Sequence, residues 1–164
     1  MINLERMTTE YVPDEDRISL TAKVQGGGTA RVWLTRRLSD RLFAALGKAV
    51  HPRNRDPAYA EIVGEIAQAK AERSHEPQAP VKVAAPDHEW LVRKIDIRTT
   101  GAGTFLEFHG AQDQCARLAM PVDVVRQWLA IARRVYGMAE WSATARPNSA
   151  QPGQPRRDPS VVLH

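Results

Sequence analysis

A single cysteine in 164 residues, with only four Trp, three Tyr and three Phe, sets the first limits on this chain. Cys115 alone can close no internal disulfide and build no thiolate zinc site, which agrees with a reducing compartment. No apolar run approaches the roughly 20 residues that span a bilayer, so no membrane partner is expected. The start, Met1-Ile2-Asn3-Leu4-Glu5-Arg6, lacks the basic residues and apolar stretch of a secretory signal, and the cytoplasm is the expected location.

Catalytic signatures are equally scarce. His51, His75, His88, His109 and His164 form no i, i+4 pair and no His-x-His, so a metal site would have to be assembled from distant segments. No Gly-x-Ser-x-Gly occurs. Glycines that cradle phosphate run into a helix, whereas Gly26-Gly27-Gly28 and Gly101-x-Gly103 run into strand patterns and read as turns. Cys115 sits in a strand pattern with no histidine beside it and reads as a buried, inert thiol. Asp14, Glu15 and Asp16 crowd one turn, which suits a solvated corner or a partner for nearby arginines better than a calcium loop or an acid–base pair. The sequence therefore implies no enzyme, no metal and no cofactor.

What is present is an alternation of strand and helix patterns. Residues 2–12 make a first strand. Ile18, Leu20, Ala22 and Val24 then alternate with polar residues, and after the triple-glycine turn Ala30, Val32 and Leu34 resume the alternation, which predicts a β-hairpin with one buried face. At Thr35 the period changes to that of a helix with Leu38, Leu42, Ala45, Leu46 and Ala49 on one face, ending before His51-Pro52. A second helix opens with Asp56 as cap and Pro57 in its first turn, and its pattern predicts that Ile62, Ile66 and Ala69 are buried. Residues 76–87, with three prolines, read as an extended internal linker. Strands over 89–98, 104–109 and 115–120 follow as a second meander, then a helix from Pro121 that Gly137 should stop.

That last helix has two apolar stripes. Val122, Val125, Leu129, Ala132 and Tyr136 form one; Val124, Trp128, Ile131 and Val135 form another. A helix on one sheet needs a narrower apolar arc, so the second stripe is either a further piece of core or an interface with another molecule. Twofold homodimers are the commonest oligomers, and Trp128 and Tyr136 suit an interface, so Val124, Trp128, Ile131, Val135 and Tyr136 are the candidate dimer surface.

Charge is local. The net charge of +4 is small, but between residues 31 and 55 Arg31, Arg36, Arg37, Arg41, Lys48, Arg53 and Arg55 are opposed only by Asp40. On a helix starting at Arg36, Arg37, Arg41 and Lys48 fall within about 40° of one another, with Arg36 beside them. This patch is a solvated face, a surface for an acidic protein, or a site for nucleic-acid phosphates, the last disfavoured by low net charge and by Trp33 being the lone stacking aromatic nearby. Residues 142–164, with four prolines, predict a flexible tail.

Residues 30–46, ARVWLTRRLSDRLFAAL, can be laid on residues 116–132, ARLAMPVDVVRQWLAIA, at an offset of 86. Both are strand ends turning directly into a helix, a pattern that any ββα unit shares, and their identity is too low to establish duplication.

The paired segments YVPDEDRISL (11–20) and RVWLTRRLSDRL (31–42) resemble a family of small proteobacterial proteins in which a Tyr-Pro-Glu-Asp-Arg strand precedes a Trp-Leu-Thr-(Arg/Gln)-Arg helix start. That resemblance covers about the first quarter of the chain and implies no activity. The order of elements is similar to that of the β-sandwich heads of DNA-repair ligase scaffolds and centriole assembly proteins, which implies a dimerising, non-enzymatic scaffold without their long coiled coil. The expectation is one α+β domain over 1–141, two sandwich-like antiparallel meanders with an inserted helical pair and a C-terminal helix. It would serve as a self-associating protein-interaction module. The alternative is a nucleic-acid-associated accessory protein that uses Arg36, Arg37, Arg41, Lys48 and the basic tail.

Overall fold

The computed structural model describes residues 1–51, 56–76, 78–100 and 103–141; the tail expected over 142–164 and the cations at 53 and 55 lie outside the described residues. Strands β1 (Ile2–Val12), β2 (Arg17–Val24) and β3 (Thr29–Leu34) come first. The alternation expected in the hairpin is present: Ile18, Leu20 and Ala22 pair with Leu34, Val32 and Ala30, and all six are buried. Gly26, Gly27 and Gly28 take φ values of 88°, 114° and 86°, a left-handed run that side chains with a Cβ resist.

Helix α1 (Arg36–Val50) starts where the period changes, with the Thr35 hydroxyl accepting the Leu38 N–H at 3.4 Å. Helix α2 (Pro57–Arg73) is capped by Asp56, whose carboxylate accepts the N–H groups of Ala58 and Tyr59 at 3.0 and 3.4 Å. The second meander comprises β4 (His88–Leu91), β5 (Lys94–Thr100), β6 (Gly103–His109) and β7 (Cys115–Met120), followed by α3 (Val122–Met138).

The single strand expected over 89–98 is two strands, and the break has a topological purpose. The sheet order is β4-β3-β2-β1-β7-β6-β5. The chain leaves β3 at Val92, whose N–H bonds Trp33 O at 2.9 Å, and joins β6 at Arg93, whose N–H bonds His109 O at 2.8 Å. Consecutive residues thus hold both ends of the sheet order, and the sheet closes on itself. β1 does the same on the other side: its first residues run parallel to β7, the strand bends at the bulge between Leu4 and Met7, and the remainder runs antiparallel to β2. The two meanders are therefore joined edge to edge in one mixed sheet instead of being stacked as the two layers of a sandwich. Closure removes the exposed edges that would otherwise invite strand pairing.

The echo at an offset of 86 runs through β2, β3, β6, β7 and the parallel pairs, and shifts by two residues where Thr8↔Thr21 of β1 and β2 corresponds to Asp96↔Glu107 of β5 and β6. The parallel pairs Ile2↔Ala116, Asn3↔Arg117 and Leu4↔Leu118 recur as His88↔Ala30, Glu89↔Arg31 and Trp90↔Val32, and the antiparallel pair Leu20↔Val32 recurs as Leu106↔Leu118. Helices α1 and α3 follow β3 and β7 at the same displacement. A ββ(β)α half is thus repeated about an approximate twofold axis.

Between the halves, the linker crosses the outer side of β1, β2 and β3. Val81 is buried and donates its N–H to the Thr8 hydroxyl at 2.7 Å, Arg31 donates to Val83 O, and Asp87 accepts the Thr29 N–H at 2.7 Å and its hydroxyl at 3.0 Å. This strap explains why Ser19 and Thr21, on the face away from the barrel interior, are also buried.

Gly137 does not stop α3. The helix runs through it and ends in a Schellman turn in which Glu140, at φ 52°, donates its N–H to Gly137 O and Trp141 donates to Tyr136 O. The Trp141 ring packs edge-on against Tyr136 at 5.3 Å, so burial of an aromatic residue fixes the terminus where the glycine would not.

Candidate interaction surfaces

Two surfaces were legible as candidates, the structure treats each differently, and it adds a third. The second stripe of α3 is consumed internally. Trp128, Val135 and Tyr136 are buried, Ile131 packs against the core, and Val124 alone is exposed. Trp128 donates its indole N–H to the Thr9 hydroxyl at 2.9 Å and meets Phe43 of α1 edge-on at 5.2 Å. Phe43 also touches Tyr136, Tyr136 touches Trp141, and Trp141 touches Tyr11 of β1, an aromatic chain that ties α3, α1 and β1 together. Burial and the nearby Asp40 carboxylate push the Tyr136 phenol well above its usual range, as expected for a ring that faces protein and not solvent. The two-stripe pattern is the signature of a helix wedged between a sheet and a second helix.

The basic stripe of α1 is on the surface. Arg36, Arg37, Arg41 and Lys48 are exposed, and Arg36 lies over the Trp141 ring at 5.9 Å. The acidic turn does not neutralise it. Asp16 accepts Tyr11 OH at 2.9 Å and the Trp141 indole N–H at 3.0 Å, while Glu15 pairs with Arg17 at 3.3 Å. Nor does Trp33 extend the patch, because its N–H is held by Glu89 at 2.8 Å and Arg31 covers its ring at 5.7 Å. Arg31 is tied to the strap and Trp33 to β4, and neither to α1.

The third surface, α2, reverses expectation. Ile62 and Ile66 are 57% and 64% exposed, and Tyr59 is 57% exposed, whereas the buried residues are Ala60 and Ala71. At 100° per residue, Ala60, Gly64, Ala67 and Ala71 form one face and Tyr59, Ile62, Ile66, Ala69 and Arg73 form the face roughly opposite. The small residues let α2 lie close on α3, where Gln68 donates to Arg126 O and Gln127 donates to Ala71 O, both at 3.1 Å. Two side chain-to-backbone bonds plus close packing of alanines anchor the helix and turn its bulky residues outward. The spacing Ala60-x-x-x-Gly64 was the available signal, overridden in the sequence by the larger residues on the other side. Ile66, Ala69, Lys70, Arg73 and Ser74 line a shallow groove along this outer face.

Among the described residues, no helix is long and apolar enough to cross a membrane. Compared with protein-family models, with curated proteins and with solved structures, the chain matches none.

Proposed function

We propose that this protein is a non-enzymatic, cytoplasmic interaction module that associates with a second copy of itself through the outer face of α2. The observation that carries this reading is the line of three large apolar side chains, Tyr59, Ile62 and Ile66, each more than half exposed on a helix whose other face is fastened to α3. Burying such a side chain fully is worth about 1.5–3 kcal/mol, a gain the isolated chain forgoes at three adjacent positions. An antiparallel pairing about a twofold axis at Ile66 sets Tyr59 level with Arg73 of the second copy and Ile62 level with the Lys70 stem, contacts that suit a ring under a guanidinium and an aliphatic chain over an isoleucine.

Light scattering behind size exclusion on the full chain tests it. A dimer mass that persists at high salt and falls to a folded monomer in Ile66→Glu is the expected result; a wild-type monomer at every accessible concentration overturns it. A second reading rests on the exposed Arg37, Arg41 and Lys48, which among the described residues form no ion pair. A salt-steep affinity for single- or double-stranded DNA that vanishes in Arg37→Ala/Arg41→Ala would favour it.

A further inference from the structure

The outer faces of the two halves differ in a way that points to a metal. On the first half the strap covers β1, β2 and β3. On the second, β5, β6 and β7 present Asp96, Glu107, His109, Cys115 and Arg117 outward, because their neighbours Leu106, Phe108, Ala116 and Leu118 fill the interior. The register places Asp96 directly opposite Glu107 and His109 directly opposite Cys115, with Glu107 and His109 two residues apart on the same face. One donor atom each from Glu107, His109 and Cys115 lies within 4.8 Å of the other two.

The imidazole is the telling group. Its Nε2 is shielded from solvent and faces two carboxylate oxygens, Asp96 Oδ2 at 3.0 Å and Glu107 Oε2 at 3.8 Å, with the Cys115 thiol beside it. Cations hold both carboxylates from the other side: Arg117 grips Glu107 through Oε1, at 3.0 and 2.6 Å, and Lys94 holds Asp96 at 2.7 Å. The Arg117 contact leaves Glu107 Oε2 turned toward His109, the kind of outer support that orients a metal-ligating carboxylate.

We propose that Glu107, His109 and Cys115 form a zinc site on the outer face of β6 and β7, with the fourth position open to water. One sulfur, one nitrogen and one oxygen make a donor set that suits zinc, and a single thiolate suffices when imidazole and carboxylate complete it. Zinc bonds of about 2.0–2.3 Å bring ligand atoms to roughly 3.3–3.8 Å from one another, so closing the site needs side-chain shifts on the order of 1 Å. The equivalent positions of the first half by strand register, Thr8, Thr21, Lys23 and Thr29, offer no such set, so among the described residues the donors gather on the face that the strap does not cross. No ligand spacing announced the site because its members lie on neighbouring strands joined by a turn.

The test is titration of the untagged, metal-stripped full chain with Zn(II) by calorimetry and with Co(II) by absorbance. One equivalent of each should bind, with a thiolate-to-cobalt charge-transfer band that Cys115→Ser abolishes, and His109→Gln and Glu107→Gln should each weaken zinc by about tenfold or more. His88→Ala should leave binding unchanged, and circular dichroism of the stripped variants should match the wild type. Should Cys115→Ser not fold, the band and affinity in His109→Gln decide alone. Absence of stoichiometric binding at micromolar zinc, or binding that survives both Cys115→Ser and His109→Gln, overturns the proposal.

Discussion

The two halves of the barrel share strand order yet fill and cover it differently. Inside, Leu4 pairs with Val24 in the first half, whereas in the second the equivalent Trp90 packs over Gly110, where a Cβ would run into the indole ring. Ala22 in the first half corresponds to the fully buried Phe108 in the second, and Leu42 of α1 corresponds to Trp128 of α3. The Trp90–Gly110 pair sets a large residue against a small one where the first half has two of middling size, which breaks the symmetry of the packing. Outside, Arg31 holds a crossing strap through Val83 O, while its counterpart Arg117 holds Glu107 and leaves its face open. The lesson is that a repeated backbone specifies packing, and the side chains that differ between repeats specify where partners go.

The largest effect should come from the aromatic chain that has no equivalent in α1. Trp128→Ala removes the edge-on contact with Phe43 and leaves the Thr9 hydroxyl without its donor, and should cost about 3–5 kcal/mol in urea denaturation. Trp128→Glu should yield an unfolded chain instead of a folded monomer. If Trp128→Ala costs under about 1 kcal/mol, the second stripe of α3 is not core and the comparison with Leu42 fails.

Exchanging interior residues between halves sharpens the comparison at smaller scale. Gly110→Val, the residue of the first half, should destabilise by about 1–3 kcal/mol through collision with Trp90. The double variant Gly110→Val/Trp90→Leu, which recreates the Leu4–Val24 pair, should recover most of that loss. A double-mutant cycle that shows no coupling would mean that the two sites do not compensate each other.

The smallest effect concerns the strap. The Thr29 N–H and hydroxyl hold the Asp87 carboxyl below its ordinary range of 3.8. A depressed folded value means stabilisation present above that range and lost as pH falls through the lower folded value. Hydrogen exchange over residues 78–87 should therefore speed up below about pH 4 before the β2–β3 ladder responds, and Asp87→Asn should remove that pH dependence. Simultaneous loss of protection in strap and ladder would show that the strap is part of the barrel's cooperative unit.

Much of the architecture was legible from the chain. Half-buried strands announce themselves by alternation, as Ile18 to Val24 do, and α1 and α2 by their caps at Thr35 and Asp56. The failures share one cause, competition between local pattern and tertiary neighbours. The continuous pattern over 89–98 conceals the step from β3 to β6 at Val92 and Arg93, because both sides of the break are extended. Ile62 and Ile66 look like core residues on hydropathy alone, but α2 buries the small Ala60 and Ala71 and bonds α3 through Gln68 and Ala71 O. His109 and Cys115 look unrelated until the β6–β7 register sets them side by side.

By itself, the sequence determined the β2–β3 hairpin, the helix starts and the triple-glycine turn, because each depends on residues within one or two turns of one another. Tertiary structure alone decided that the meanders join edge to edge and that the second stripe of α3 faces α1. It also decided that α2 turns its isoleucines outward, and that a thiol, an imidazole and a carboxylate meet on one face. Those outcomes depend on which surface each element finds across the barrel, and a local period carries no information about the partner on the far side.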